Sequence, residues 1–310
     1  MIKAHPLENL IEQYLFEKDI TIGTRELYQT ILKQYLYYLI SHQIIYAKTS
    51  DVKTYLASIR DRGCSTHWLR HQITVLKGLY QYLSFNQERL DLPNEYAFDI
   101  MEPIKNVRIE KRILKPILGV EQAKHLILYL KDNRKYIWHY RDYALIYLMI
   151  TTGLRSIEAR RARIKDLRVI EGKHILYIQG KGRSSADDFV KLSDGLHEAI
   201  IDYLLKRKDQ NPYLFVSRSK RSKEPLTRTI FISIFKRILR DSGLEDTHIT
   251  AHSLRHTAAT LNLARGGSLE ATKRLLRHEN MANTLIYART AGGVDAVTVS
   301  LLEDYILGNE

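Results

Sequence analysis

Apolar residues recur at helical spacing through the first part of the chain, in LIEQYLFEK, RELYQTILKQYLYYLI, DVKTYLASIRD and WLRHQITVLKGLYQYLS. No proline interrupts the chain between Pro6 and Pro93, so about four or five helices fit there. Thr24 ahead of RELYQ, and Ser50 with Asp51 ahead of VKTYL, stand where N-caps belong, able to accept from amides that lack a partner. The segment MEPIKNVRIEKRILKPI then breaks the period: Pro103 and Pro116 bracket a basic stretch carrying Lys105, Arg108, Lys111, Arg112 and Lys115. This predicts a helical domain over residues 1–102, a basic linker over 103–117 and a second domain over 118–310. The basic run is either a solvated face or a strip lying along phosphates.

Two more helical patterns follow, GVEQAKHLILYLKDN and WHYRDYALIYLMITTG, the second ending at Gly153. LRVIEGKHILYIQGKGRSSADDFVKL then changes to short β-rich runs parted by EGK and by GKGRSSADD, the pattern of a three-stranded antiparallel meander. Helical spacing returns in DGLHEAIIDYLLKRK, RTIFISIFKRILRDSG, HSLRHTAATLNLARGG and SLEATKRLLRHEN. No repeat of roughly 20 to 50 residues and no low-complexity tract is visible. The predicted fold class is mainly α with a small antiparallel β-sheet.

Composition adds a partner to this picture. The 310 residues are 45% hydrophobic, a share that suits packed globular domains. Their formal net charge is +13, with a pI near 9.6. Such a field attracts polyanions, with DNA or RNA foremost, whereas the bland alternative is charge that serves solubility alone. The single cysteine, Cys64, excludes an internal disulfide and a multi-thiolate zinc site, which suggests a reducing compartment. The opening MIKAHPLENLIEQYLF lacks a signal-peptide core, and no run approaches the roughly 20 apolar residues of a membrane span. A cytoplasmic protein with no membrane partner is expected.

AHSLRHTAAT concentrates candidate chemistry: His252, Arg255 and His256 fall within one helical pattern. His252 and His256, at i and i+4, have the spacing of a helical zinc pair. However, Ser253 stands where a zincin helix needs glutamate, and Arg255 would place a fixed cation beside the metal. His252 and Arg255, at i and i+3, instead offer donors to one phosphate, and an arginine fork suits two phosphate oxygens. His256, one residue's rotation further on, is assigned to local hydrogen bonding. Taken alone, the cluster leaves open a phosphate site and a buried polar network.

Three segments together resemble one family, the tyrosine recombinases or phage integrases, of which the Xer resolvases are compact members. TTGLRSIEARRARIKDL resembles the family's first arginine motif, and AHSLRHTAATLNLARGG its HxxRHT helix. LEATKRLLRHENMANTLIYA resembles its second histidine followed by the tyrosine. The likeness covers nearly the whole chain, with the first hundred residues resembling a helical core-binding domain and the remainder the catalytic domain.

The resemblance implies a site-specific DNA recombinase, most simply that of a mobile element, with a Xer-like resolvase of replicon dimers or a silent DNA-binding protein as alternatives. A tyrosine would attack a DNA phosphodiester, form a 3′-phosphotyrosyl bond and free a 5′-hydroxyl. One ester replaces another, so neither metal nor other cofactor is implied, provided the protein neutralises the transition-state charge. The resemblance makes Tyr287, by its place after His278, the expected nucleophile. Arg155 and Arg255 hold the non-bridging oxygens, while His252 and His278 complete the cradle. Lys181, in QGKGRS, is the general acid, and Lys191, in DFVKL, is the fallback lysine. GKG lacks the spacing of a P-loop. Glu158, three residues after Arg155, orients it.

Tyr305 competes with Tyr287 by residue type only. Its spacing with Val294, Val297 and Leu301 reads as the stripe of a terminal helix. The resemblance implies that this helix docks on a neighbouring protomer of a homotetramer assembled on double-stranded DNA. An accessory excision or DNA-bending protein is a further expected partner. One position departs from the family: Arg277 precedes His278 where relatives commonly have glycine.

Overall fold

The computed structural model describes residues 5–108, 116–180, 183, 185–218, 224–281, 284–285 and 287. The chain divides into two compact units, Met1–Arg112 and Ile113–Glu310.

The first unit is built from α1 (Pro6–Glu17), α2 (Ile22–Ser41), α3 (Thr49–Asp61) and α4 (Thr66–Phe85), followed by a 3-10 turn at Asn94–Tyr96. Its core includes several buried tyrosines. Tyr35, Tyr55 and Tyr80 are buried, and their hydroxyls find partners because a buried hydroxyl without one is costly. Tyr35 and Tyr80 share a hydrogen bond of 2.8 Å, and Tyr55 donates to Gln72 at 3.0 Å. Ile104 is also buried in this core, so the packed chain runs past the expected end at Glu102.

Both expected N-caps are displaced. Helix α2 begins one turn earlier and is capped by Thr21, whose hydroxyl accepts from the Thr24 amide. Helix α3 takes in Ser50 and Asp51. The Asp51 carboxylate reaches back to the Lys48 amide at 2.7 Å, acting from inside the first turn rather than as the cap.

The second unit is organised around α6 (Ile137–Thr152), which packs against α5 (Val120–Asp132). YALIYLMI is apolar on every side, and a helix of that kind belongs inside a core. After it come α7 (Ser156–Arg161) and strands β1 (Leu167–Ile170), β2 (Lys173–Ile178) and β3 (Asp188–Lys191). They are followed by α8 (Asp194–Lys206), α9 (Arg228–Asp241), α10 (Ala251–Ala264) and α11 (Leu269–Leu276). Helices α8 and α10 also pack on α6.

The sheet is the expected antiparallel meander in the order β1-β2-β3, with Leu167 opposite Leu176 and Leu176 opposite Val190. Glu171 and Gly172 both have positive φ in its first turn, as a tight two-residue hairpin requires. Helix α6 stops at Gly153, which adopts φ 61°. A Cβ there would lie 2.7 Å from Leu276 Cδ2 and 3.5 Å from Ala258 Cβ, so glycine also lets α10 and α11 close on this helix end. Among the described residues, no helix is long and apolar enough to cross a membrane.

Candidate active site

The end of α6 places the first arginine. Two residues after the left-handed Gly153, Arg155 is the extended residue ahead of α7. Its amide donates to Glu158 Oε2 and its Nη1 to Oε1, both at 2.8 Å. Glu158 is buried, while the Arg155 side chain is 34% exposed, so its fork is anchored at one edge and open at another. The expected orienting contact of Glu158 is therefore present. Helix α7 itself was not anticipated from the sequence, because six residues rich in arginine carry no apolar period.

Helix α10 supplies the second arginine. Thr250 caps it, and Ser253, the residue that spoiled a zincin reading, accepts in return from the Thr250 amide through Oγ at 3.1 Å. Arg255 is among the most fully buried side chains. Its Nη1 donates to the Gly153 carbonyl at 2.6 Å, and its Nη2 donates to the Leu276 carbonyl. Both carbonyls lie at helix ends, where intrahelical partners run out and partial negative charge gathers. Burial foremost, with the Arg155 and Arg277 cations adding to it and Glu158 and Tyr287 opposing, lowers the Arg255 pKa to about 10. It remains a cation at neutral pH.

His252 is exposed on the same helix, with its ring 4.7 Å from that of His256. His256 lies 5.1 Å from the Tyr287 ring, so it belongs to the cluster instead of pointing away. The signal was present in the sequence: at i and i+4 the two histidines share a helix side.

His278 follows Arg277, which ends α11 in the left-handed conformation at φ 53°. The His278 Nδ1 is 2.9 Å from the hydroxyl of the buried Thr284. Burial, with the Arg255, Arg155 and Arg277 cations, lowers its pKa to about 4 and keeps the ring neutral. It lies 6.3 Å from the Tyr287 ring, nearly parallel to it.

Tyr287 is 5% exposed and packs against Ala259 and Leu276. Burial raises its pKa, while Arg255 and Arg155 pull it down. Its anion would thus form beside the two guanidinium groups. Lys181 lies outside the described residues, as does the terminal segment with Tyr305. Lys191 is exposed at the end of β3.

The structure thus brings Arg155, Arg255, His252, His278 and Tyr287 into one neighbourhood, and adds His256 and Arg277. A phenol set among fixed guanidinium groups and neutral imidazole is suited to nucleophilic phosphoryl transfer. The chain matches the model of the phage integrase family over residues 117–292. Tyrosine recombinase XerA of Pyrococcus horikoshii is 30% identical over 281 residues, covering 89% of this chain and 90% of that protein. Tyrosine recombinase XerA of Pyrococcus furiosus is 28% identical over 262 residues, covering 84% and 83%. In fold the chain is similar to XerH site-specific recombinase in a post-cleavage complex with palindromic difH substrate. The TM-score is 0.71 at 21% identity, over 91% of this chain and 80% of that one. The chain belongs to the phage integrase family; it is a tyrosine recombinase, an enzyme of site-specific recombination.

Proposed function

We propose that this chain cuts and rejoins double-stranded DNA through Tyr287. The phenol gives up its proton to solvent as its oxygen attacks phosphorus, the bond from phosphorus to the 5′-oxygen breaks, and the freed 5′-hydroxyl leaves with a proton from Lys181. The 3′-phosphotyrosyl ester conserves the bond energy for rejoining to another strand. Arg155 and Arg255 hold the non-bridging oxygens, while His252 and His278 donate around them. The observation that carries this reading is the buried Tyr287 phenol beside the rings of His256 and His278, with Arg255 and Arg155 opposing the upward shift that burial imposes on its pKa. The active assembly is a homotetramer on DNA, with an accessory excision or DNA-bending protein for directionality.

Of the two services this chemistry performs, resolution of replicon dimers gains from the near-full-length likeness to proteins named XerA. Service to a mobile element is the other reading. The test is a denaturing gel for covalent adducts on nicked duplexes, comparing the wild type with Tyr287→Phe. An adduct with wild type alone on DNA flanking the gene supports the mobile-element reading. An adduct on a distant chromosomal site supports resolution. A Tyr287→Phe adduct removes Tyr287 as nucleophile.

A further inference from the structure

Arg277 is the feature of the site that the family pattern leaves unexplained. A non-glycine residue at φ 53° is disfavoured by its own Cβ, so glycine would be the easy occupant of this helix end. Arginine here makes a set of contacts that glycine cannot. Its side chain is only 11% exposed. Nη2 donates to Glu158 Oε2 at 2.9 Å, Nη1 donates to the Leu275 carbonyl at 3.0 Å, and Nε lies 3.4 Å from Asp188 Oδ2.

Glu158 is the centre of this arrangement. Its carboxylate is 1% exposed and faces Arg155 through Oε1 and Arg277 through Oε2. With Arg155 as its sole cationic partner, the buried carboxylate would cancel the charge meant for a phosphate and could draw the guanidinium inward. A second cation on Oε2 leaves the trio of Arg155, Glu158 and Arg277 with a net positive charge, and pins the carboxylate from the opposite side. Asp188, at the start of β3, adds a second carboxylate near Arg277, without a hydrogen bond from Nε. The neighbouring Glu279 faces Arg183 of the same β2–β3 connection at 3.9 Å, a mostly exposed and therefore weak pair.

We infer that Arg277 is a positioning residue for strand cleavage: by sharing the buried Glu158 carboxylate with Arg155, it keeps the Arg155 guanidinium aimed and its charge available to the scissile phosphate. This rests on the proposed role of Arg155 in holding a phosphate oxygen. The inward-turned side chain argues against a direct DNA contact, which becomes an outcome of the test.

Arg277→Gly is the informative variant, because glycine suits the left-handed backbone and the fold should survive. The probe is a duplex captured covalently by the wild-type chain from a randomised library of nicked duplexes. At saturating duplex, Arg277→Gly should form the adduct at least tenfold more slowly, with binding affinity within twofold of wild type. Arg277→Lys should recover part of the rate. Equal rates for Arg277→Gly and wild type would overturn the inference. Rate and affinity falling together would also overturn it and make Arg277 a DNA contact. If the wild type captures no duplex, the proposed function fails, and nuclear magnetic resonance of the free protein decides the positioning claim. The Arg155 Nε–Hε signal should then broaden or exchange faster in Arg277→Gly; an unchanged signal would overturn the claim.

Discussion

The guanidinium of Arg255 donates to the carbonyl of Gly153 at 2.6 Å, joining two helices whose contact residues lie 102 positions apart in the chain. The same side chain reaches the last carbonyl of α11 at Leu276, so one buried cation ties the ends of α6 and α11 to α10. The group that would meet the phosphate is also a structural rivet.

Arg255 substitutions should therefore lose stability as well as activity. Arg255→Ala leaves two helix-end carbonyls in a buried site without their donor, at about 1–3 kcal/mol for each unsatisfied group. Chemical denaturation should show a loss of about 2–5 kcal/mol and no covalent adduct. Arg255→Lys keeps the charge but replaces a fork with a point donor. It should recover under half of the lost stability and little of the cleavage rate. A lysine variant as stable and active as wild type would refute the bridging role.

Gly153→Ala probes the same junction from the other side. The positive φ costs about 1 kcal/mol for a residue with a Cβ. The added methyl, 2.7 Å from Leu276 Cδ2, forces repacking worth about 1–3 kcal/mol more. Combining it with Leu276→Ala should cost less than the sum of the two single changes, because truncating Leu276 removes the collision. Strict additivity in denaturation midpoints would show that the close approach is not felt.

The arginine motif and the HxxRHT helix were legible in the sequence because they resemble the family's motifs in residues and order, and the structure brings both to one site. The central helix α6 and the meander were legible because an unbroken apolar run and a change of period to two are strong local signals. What could not be read depended on distance or on competition. The Arg277 to Glu158 contact spans 119 residues, so nothing near Arg277 announces its partner. Thr24 and Ser50 looked like caps because they precede apolar periods. The helices start earlier, at Ile22 and Thr49, where Thr21 and Lys48 hold the extended backbone ahead of the first turn. His256 was expected to point away from the cluster because its rotation from Arg255 was weighed above its match to His252; its ring lies beside Tyr287.

His278 makes stability depend on pH. Its folded pKa, about 4, lies below the ordinary 6.5 because burial and three arginines disfavour the imidazolium. Below about pH 6.5 the unfolded chain takes up a proton that the folded site resists. The contribution of this residue is thus fully present above pH 6.5 and is lost as pH falls through about 4. His278→Gln should flatten the decline of unfolding free energy between these pH values relative to wild type. Parallel profiles for the two proteins would mean that His278 titrates normally.

The identity of the general acid is decided by chemistry at the leaving group. An alkoxide released at the 5′-oxygen is strongly basic and needs a proton, whereas a thiolate at the same position, with a pKa near that of a cysteine at about 8.5, does not. If Lys181 supplies that proton, Lys181→Ala should slow adduct formation on an ordinary duplex by about 100-fold or more. A duplex with bridging sulfur at the 5′-position should restore the rate to near that of wild type on the same substrate. Lys191→Ala should leave the ordinary reaction within about twofold of wild type, as an exposed side chain at the end of β3 whose loss removes no buried contact. The reverse pattern, with sulfur rescuing Lys191→Ala and leaving Lys181→Ala slow, would transfer the acid role to Lys191. Failure of sulfur to rescue a slow Lys181→Ala would place Lys181 in binding rather than proton transfer.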